Sequence, residues 1–301
     1  MATHLVPRTA PTDAISASGT GVTPPAPTAP GHGPAGARPT RVRWRICALL
    51  FAATVINYVD RQTLGILAPV LQREIGWSEA DYGDIVSWFT VAYALGFLGI
   101  GRLIDAIGVR RGFAAAITTW SVAAMAHALA RTPFGFSLAR FGLGLGESGH
   151  FPSAIKVVAE WFPQRERALA TGIFNAGSNV GAVVTPLVVP PIALAYGWRA
   201  AFVVTGALGF LWLVAWWRSY RAPESHPAVN AAELALVTAD AAPASEPTAR
   251  VGWRALLTRR EAWAFAIGKA LTDPVWWFHL YWLPKFLDAR HGVTLTALAL
   301  P

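Results

Sequence analysis

Cysteine and charge are what this sequence has least of. Among 301 residues there is one cysteine, Cys47, and only 14% of the chain is charged. A single thiol excludes an intrachain disulfide framework and offers no metal-ligand spacing. So little charge excludes an ordinary soluble domain, where about a quarter of residues are charged. Acids are scarcer than bases, 17 Asp and Glu against 25 Lys and Arg, which leaves a net charge of +8. A nucleic-acid partner would need a soluble basic face interleaved with aromatics. Here the arginines stand between apolar runs, so no nucleic-acid partner is expected. No apolar run precedes Ile46, and a cleavable secretory signal therefore lacks its centre.

What the chain has is apolar sequence in long blocks. Hydrophobic residues make up 54% of it, with 14 Trp. A membrane-crossing helix needs about 20 mostly apolar residues, and seven blocks qualify, at roughly 45–70, 82–104, 111–130, 133–161, 167–195, 198–217 and 262–287. The expected fold is an all-α membrane protein embedded in lipid. Residues 1–42, rich in Ala, Pro, Thr and Gly, cannot build a core and read as a disordered tail. Residues 43–220 hold six blocks, 221–258 read as a polar loop with room for one short helix, and 259–301 carry the seventh block.

Basic residues fix the expected orientation. With the N-terminus inside, the inner segments hold Arg38, Arg41, Arg43 and Arg45, then Arg102, Arg110 and Arg111, then Arg165 and Arg167, and further arginines from Arg218 to Arg260. The outer segments hold only Arg73, Arg131, Arg199, Lys285 and Arg290. That asymmetry is the positive-inside pattern, so the N-terminus is expected to be cytoplasmic.

A few ionisable residues fall inside the blocks: Asp60 and Arg61 in the first, Arg140, Glu147 and Lys156 in the fourth, Lys269 and Asp273 in the seventh. A charge at the bilayer centre costs about 2.5–3.5 kcal/mol and generally marks a pathway or a partner. Consecutive helical residues point about 100° apart, so Asp60 and Arg61 each need a partner from another helix. Arg140 and Glu147, seven apart, share a helix face, and His150 follows three residues later. Carboxyls moving between dry and cation-bearing surroundings can load and release protons. Static ion pairing would give the same pattern, and both readings stay open here. Gly142, Gly144, Gly146 and Gly149 in the fourth block, and Gly172, Gly177 and Gly181 in the fifth, allow close helix approach. Pro186, Pro190 and Pro191 are expected to kink the fifth. Enzymatic readings are weak: G-E-S-G-H around Ser148 is not the G-x-S-x-G elbow and lies in an apolar block. Neither a cofactor nor a metal is expected.

The loop GRLIDAIGVRRG resembles the cytoplasmic signature of the major facilitator superfamily, through Gly101, Asp105, Gly108, Arg110 and Arg111, with Ala106 where an arginine is usual. NYVDRQTLGILAP, GESGHFPSAIKVVAEWFPQRERALATGIFNAGSNVGA and GWRAAF are similar to the anion:cation symporters, and among them to bacterial hexuronate and related sugar-acid transporters. The resemblance implies a six-helix N-terminal half plus a seventh span that opens a second half, incomplete in this sequence. It implies proton-coupled import of an organic anion such as galacturonate or glucuronate across a bacterial inner membrane. Galactonate, glucarate, tartrate or aromatic acids are alternative substrates, and a non-transporting remnant is a second reading. It assigns Arg61 to the substrate carboxylate, with Tyr58, Tyr93, Asn175 and Asn179 lining the cavity. Asp60 and Glu147, with Arg140 as basic partner, take the proton-coupling role, and the loop signature takes gating.

Overall fold

The computed structural model describes residues 38–239, 255 and 257–293, and among them the regular structure is helical throughout. Its helices are α1 (Val42–Ile75), α2 (Glu79–Ile107), α3 (Val109–Ala126), α4 (Pro133–Glu147), α5 (His150–Trp161), α6 (Gln164–Tyr196), α7 (Trp198–Ser219), α8 (Ala231–Thr238) and α9 (Arg260–His291). Residues 1–37 of the expected tail, most of 240–256 in the expected loop and the stretch from 294 onward lie outside the described residues.

Short turns reverse the chain between long helices, so successive segments run antiparallel. Gly76 and Gly108 make two of these turns at positive φ, 77° and 80°, a conformation that side chains resist. Ser78 then opens α2 with a capping box shared with Asp81, so the first turn of α2 has its free N–H groups met locally. The end holding the start of α1 and helix α8 is here termed the near end, and the opposite end the far end.

Five helices are long and apolar enough to cross a membrane, Val42–Ile75, Glu79–Ile107, Val109–Leu129, Gln164–Tyr196 and Trp198–Ser219. Two of the seven expected spans differ. The fourth block is two helices rather than one, interrupted at Ser148 and Gly149. The cause is local: glycines crowd the end of α4, and Pro152 has no N–H to return to the Ser148 carbonyl one turn back. Both joining residues keep right-handed helical angles, so the interruption is a hitch within one crossing. The seventh block is helical along its whole length but falls outside those five; it carries Lys269 and Asp273, which pair with each other at 2.6 Å. The prolines of the fifth block do not interrupt α6, which continues through Pro186, Pro190 and Pro191.

The helices close on each other through glycine. A Cβ at Gly144 would stand 2.5 Å from the Phe89 carbonyl of α2, and one at Gly146 2.5 Å from the Trp120 nitrogen of α3. α4 is thus wedged between α2 and α3. Gly177 and Gly181 meet α1 in the same way, at Phe51 O (2.7 Å) and Tyr58 Cβ (2.7 Å), whereas Gly172 faces open space. Large apolar side chains such as Val183, Leu187 and Leu211 point outward, as a surface in contact with lipid tails requires.

At the near end the polar segment does form its one short helix. Glu233 of α8 is fully buried and accepts from the Val42 and Arg43 backbone nitrogens, each at 3.1 Å, from Arg43 Nη1 at 3.0 Å and from the Thr40 hydroxyl. It therefore occupies the N-terminus of α1, where free N–H groups and the helix dipole favour an anion. Arg43 bridges onward to Glu166 at the start of α6, at 2.9 Å. Burial would raise the Glu233 carboxyl, but these donors outweigh it and hold the group below its ordinary range.

Candidate functional site

The middle of α1 presents Asn57, Tyr58, Asp60 and Arg61. Arg61, one turn beyond Asn57 and Tyr58, turns toward α4 and meets Glu147. Its Nε donates to Glu147 Oε2 at 2.7 Å and its Nη2 lies 2.6 Å from the same oxygen. The pair is dry: the Arg61 side chain is 4% exposed and that of Glu147 0%. Nη2 also donates to Asn57 Oδ1 at 3.3 Å. Aromatic rings surround the guanidinium, Tyr58 at 4.9 Å, Tyr93 at 5.0 Å, Trp277 at 5.1 Å and Phe89 at 5.3 Å from ring centre to Cζ. Ring faces attract a cation most strongly when water is excluded.

Arg140, fully buried one helix away, donates from Nη2 to the Arg61 carbonyl at 2.9 Å and lies against Phe89 and Tyr281, at 5.3 Å and 5.4 Å. Asp60 points away from Arg61 toward α7, where Thr205 neighbours it. Asp60 is 2% exposed, and neither of its oxygens is within hydrogen-bond geometry of a described donor.

Two cations and two carboxylates thus share one dry region, with part of their bonding capacity unused. Arg140 Nε and Nη1, Glu147 Oε1 and Asn57 Nδ2 also have no protein partner among the described residues. A buried polar group left unpaired costs about 1–3 kcal/mol, so such a concentration calls for a functional explanation.

Of the residues singled out in the sequence, Tyr58, Arg61, Tyr93, Arg140 and Glu147 come together here, and Asp60 lies on the adjoining face. Asn175 and Asn179 do not join them: both are exposed on α6, and among the described residues neither side chain bonds to the cluster. Four members escaped the sequence reading. Asn57 had a signal, since it precedes Arg61 by one helical turn, whereas Phe89, Trp277 and Tyr281 are ordinary aromatics in apolar runs. His150, three residues after Glu147, also turns toward α1. After the break its Nε2 lies 2.9 Å from Thr54 Oγ1, and its ring packs against Phe113 and Trp120.

The near-end loop is built as a clamp. Asp105 pairs with Lys156 of α5 at 2.6 Å. Arg110 donates to the Trp217 carbonyl at 2.6 Å, in the last turn of α7 where a cation suits the dipole, and stacks over the Trp217 ring at 4.8 Å. Trp216 Nε1 in turn donates to the Arg110 carbonyl at 3.0 Å. Gly108 supplies the turn, Gly101 has no neighbour within Cβ contact, and Arg111 is exposed.

Comparison with known proteins bears on this arrangement. The hexuronate transporter of Escherichia coli K12 is 31% identical over 261 residues, covering 86% of this chain and 60% of that protein. The galacturonate transporter of Dickeya chrysanthemi is 28% identical over 261 residues, covering 86% of this chain and 76% of its own. A probable galactarate/D-glucarate transporter of Bacillus subtilis is 34% identical over 282 residues, covering 87% and 61%. The chain therefore spans about 60% of the length of most of these curated relatives. Among solved structures, a bacterial homologue of the human lysosomal transporter Spinster, inward-facing and unoccupied, superposes with a TM-score of 0.69 at 22% identity, over 87% of this chain and 58% of that one. That likeness shows the fold. Residues 50–301 match the sequence pattern of the Major Facilitator Superfamily, and the chain belongs to that family.

Proposed function

We propose that the chain forms the N-terminal bundle, with the first helix of a second, of a proton-coupled importer of sugar acids such as galacturonate or glucuronate. It would lie in a bacterial plasma membrane with its near end in the cytoplasm. The observation that carries this reading is the dry Arg61–Glu147 pair inside its aromatic cage. A guanidinium fork binds a carboxylate through two parallel bonds, and aromatic rings suit the apolar face of a sugar ring.

The same geometry supplies a coupling rule. Arg61 spends two of its donors on Glu147, so a substrate carboxylate must displace one carboxylate with another. A proton on Glu147 frees those donors, and the incoming anion then occupies them, leaving the charge of the region unchanged. Release of the anion lets Arg61 reclaim Glu147 and expel the proton. Asp60, unpaired on the adjoining face, is a second carboxylate able to carry a proton, and Arg140 holds the α1 backbone against α4. Carriers of this construction hold substrate between two bundles, so helices beyond α9 would complete the site. The relatives named for hexuronates, galacturonate and galactarate or glucarate support an acidic sugar as the substrate class.

The test uses Trp277, within the cage, as reporter. Galacturonate added to the purified chain is expected to change tryptophan fluorescence saturably in the parent protein and not in Arg61→Ala, with Arg61→Lys intermediate. In vesicles holding the transporter completed by its second bundle, Glu147→Gln, which keeps the shape but cannot cycle a proton, should lose accumulation driven by a pH gradient and keep counterflow. Unchanged galacturonate binding by Arg61→Ala overturns the substrate role, and gradient-driven accumulation by Glu147→Gln overturns the coupling rule.

A further inference from the structure

At the near end, α1 and α7 diverge around a crevice of about 450 Å³ that the transport reading leaves unused. Its walls are Ile46, Ala48 and Leu49 of α1, and its rim carries Arg45 of α1 and Arg218 of α7. The volume falls in the usual range for a small-ligand site. Below it, Trp212 Nε1 donates to the Leu49 carbonyl at 2.8 Å and ties the two helices together.

The two arginines lack internal counter-ions. Among the described residues neither takes part in an ion pair, and both are exposed. Three acids at this end are committed elsewhere: Glu166 and Glu233 hold Arg43, and Glu160 accepts from the Tyr220 hydroxyl at 2.6 Å. Glu224, beyond α7, is exposed and forms no ion pair. His226, also on the rim, is held in one tautomer, Nε2 donating to the Ser219 carbonyl and Nδ1 accepting from the Ala228 nitrogen. The far end shows the contrast, for Arg73 pairs with Asp288 at 3.5 Å and Arg199 with Glu74 at 3.4 Å.

An apolar wall that faces the acyl region, topped by two free guanidinia, has the form of a lipid site. Trp44 precedes Arg45 on α1 and Trp217 precedes Arg218 on α7, and tryptophans are enriched at the membrane–water boundary. Basic crevices between membrane helices on the cytoplasmic side bind anionic head groups. We propose that the α1–α7 crevice binds the phosphate of an anionic phospholipid, with Arg45 and Arg218 on the phosphate and Ala48 and Leu49 along the acyl chain. Because α7 also receives the Arg110 clamp, a lipid seated there would brace α1 and α7 against each other.

The experiment measures retention of phosphatidylglycerol by the purified chain, against phosphatidylcholine, by native mass spectrometry. Near the membrane surface each arginine should contribute about fivefold to anionic preference. Arg45→Gln and Arg218→Gln should each lower the preference about fivefold, and the double variant more than twentyfold. The far-end pair Arg73→Gln and Arg199→Gln removes equal charge and should change nothing. Unaltered unfolding temperatures in phosphatidylcholine show the variants folded, and Arg45→Lys with Arg218→Lys should keep most of the preference if a Gln variant unfolds. Equal losses from the far-end pair, undiminished retention in the double Gln variant, or displacement of the lipid by millimolar inorganic phosphate would each overturn the proposal.

Discussion

Removing Arg61 alone should cost far more stability than removing it together with Glu147. In Arg61→Met, the Glu147 carboxylate loses both contacts to Oε2 while its Oε1 already has no protein partner, and the side chain stays wholly buried. Breaking a buried pair from one side typically costs about 3–5 kcal/mol, because the remaining charge is stranded. The four ring contacts around the guanidinium add to the loss, each being worth about 0.5–2 kcal/mol when desolvated. Met recovers part of that, since its thioether packs favourably on aromatic rings. The expected cost of Arg61→Met is therefore near the top of the range, about 4–5 kcal/mol.

In Glu147→Gln the amide oxygen can still accept from Arg61, but the guanidinium is left without its counter-charge, so the cost should lie between a weakened hydrogen bond and a broken pair, at about 2–4 kcal/mol. In Arg61→Met with Glu147→Met no charge is stranded, and apolar replacement of a buried pair is generally neutral or stabilising. That double variant should return to within about 1 kcal/mol of the parent. The assay is unfolding of the purified chain in a mixed-detergent titration, followed by tryptophan fluorescence, with a double-mutant cycle extracting the coupling. A double variant no more stable than Arg61→Met, or an Arg61→Met chain within about 0.5 kcal/mol of the parent, would mean that water reaches the pair and that the dry-site reasoning is wrong. The restored double variant should also fail to bind galacturonate, which separates what the pair does for the fold from what it does for the ligand.

Glu233→Ala should destabilise the near end by about 2–4 kcal/mol, since it strips an anionic acceptor from two backbone nitrogens and from Arg43, and protease cleavage between α7 and α9 should accelerate. The Glu233 carboxyl is held below its ordinary value of 4.5, so its contribution is present above that value and is lost as pH falls through the lowered one; unfolding midpoints of parent and Glu233→Ala should converge on acidification. Gly177→Ala should weaken the α1–α6 seam, because its Cβ would stand 2.7 Å from a backbone oxygen, while Gly172→Ala, with nothing within reach, should be neutral or stabilising by up to about 1 kcal/mol; equal effects in a thermal melt would contradict the seam. With Cys47→Ser as background, a cysteine at Arg111 should react with an impermeant reagent only from the cytoplasmic side and one at Arg131 only from outside, and the reverse result would invert the topology.

The sequence revealed the fold where a single physical requirement acted over many residues. Burial in lipid demands long apolar helices, and that demand is visible as blocks without any knowledge of contacts. The same reasoning found Asp60, Arg61, Arg140 and Glu147, since an ionisable group in such a block is conspicuous by its cost. What it could not assign was direction. The 100° step from Asp60 to Arg61 said that the two diverge, but not that Arg61 would take Glu147 while Asp60 turned to α7. The aromatic half of the cage was invisible for the opposite reason: Phe89, Trp277 and Tyr281 cost nothing in an apolar run, so nothing marked them.

The break at Ser148 shows how a local detail can leave a site's register intact. Pro152 withholds one N–H and the turn at Ser148 and Gly149 tightens, yet both residues keep right-handed helical angles. His150, three residues after Glu147, therefore still meets α1, at Thr54, seven residues before Arg61 and on the same side of that helix. α1 is thus held at two levels by the fourth crossing. Its Thr54 level is held by histidine packing and its Arg61 level by charge, so substitution at Glu147 should alter the second without loosening the first.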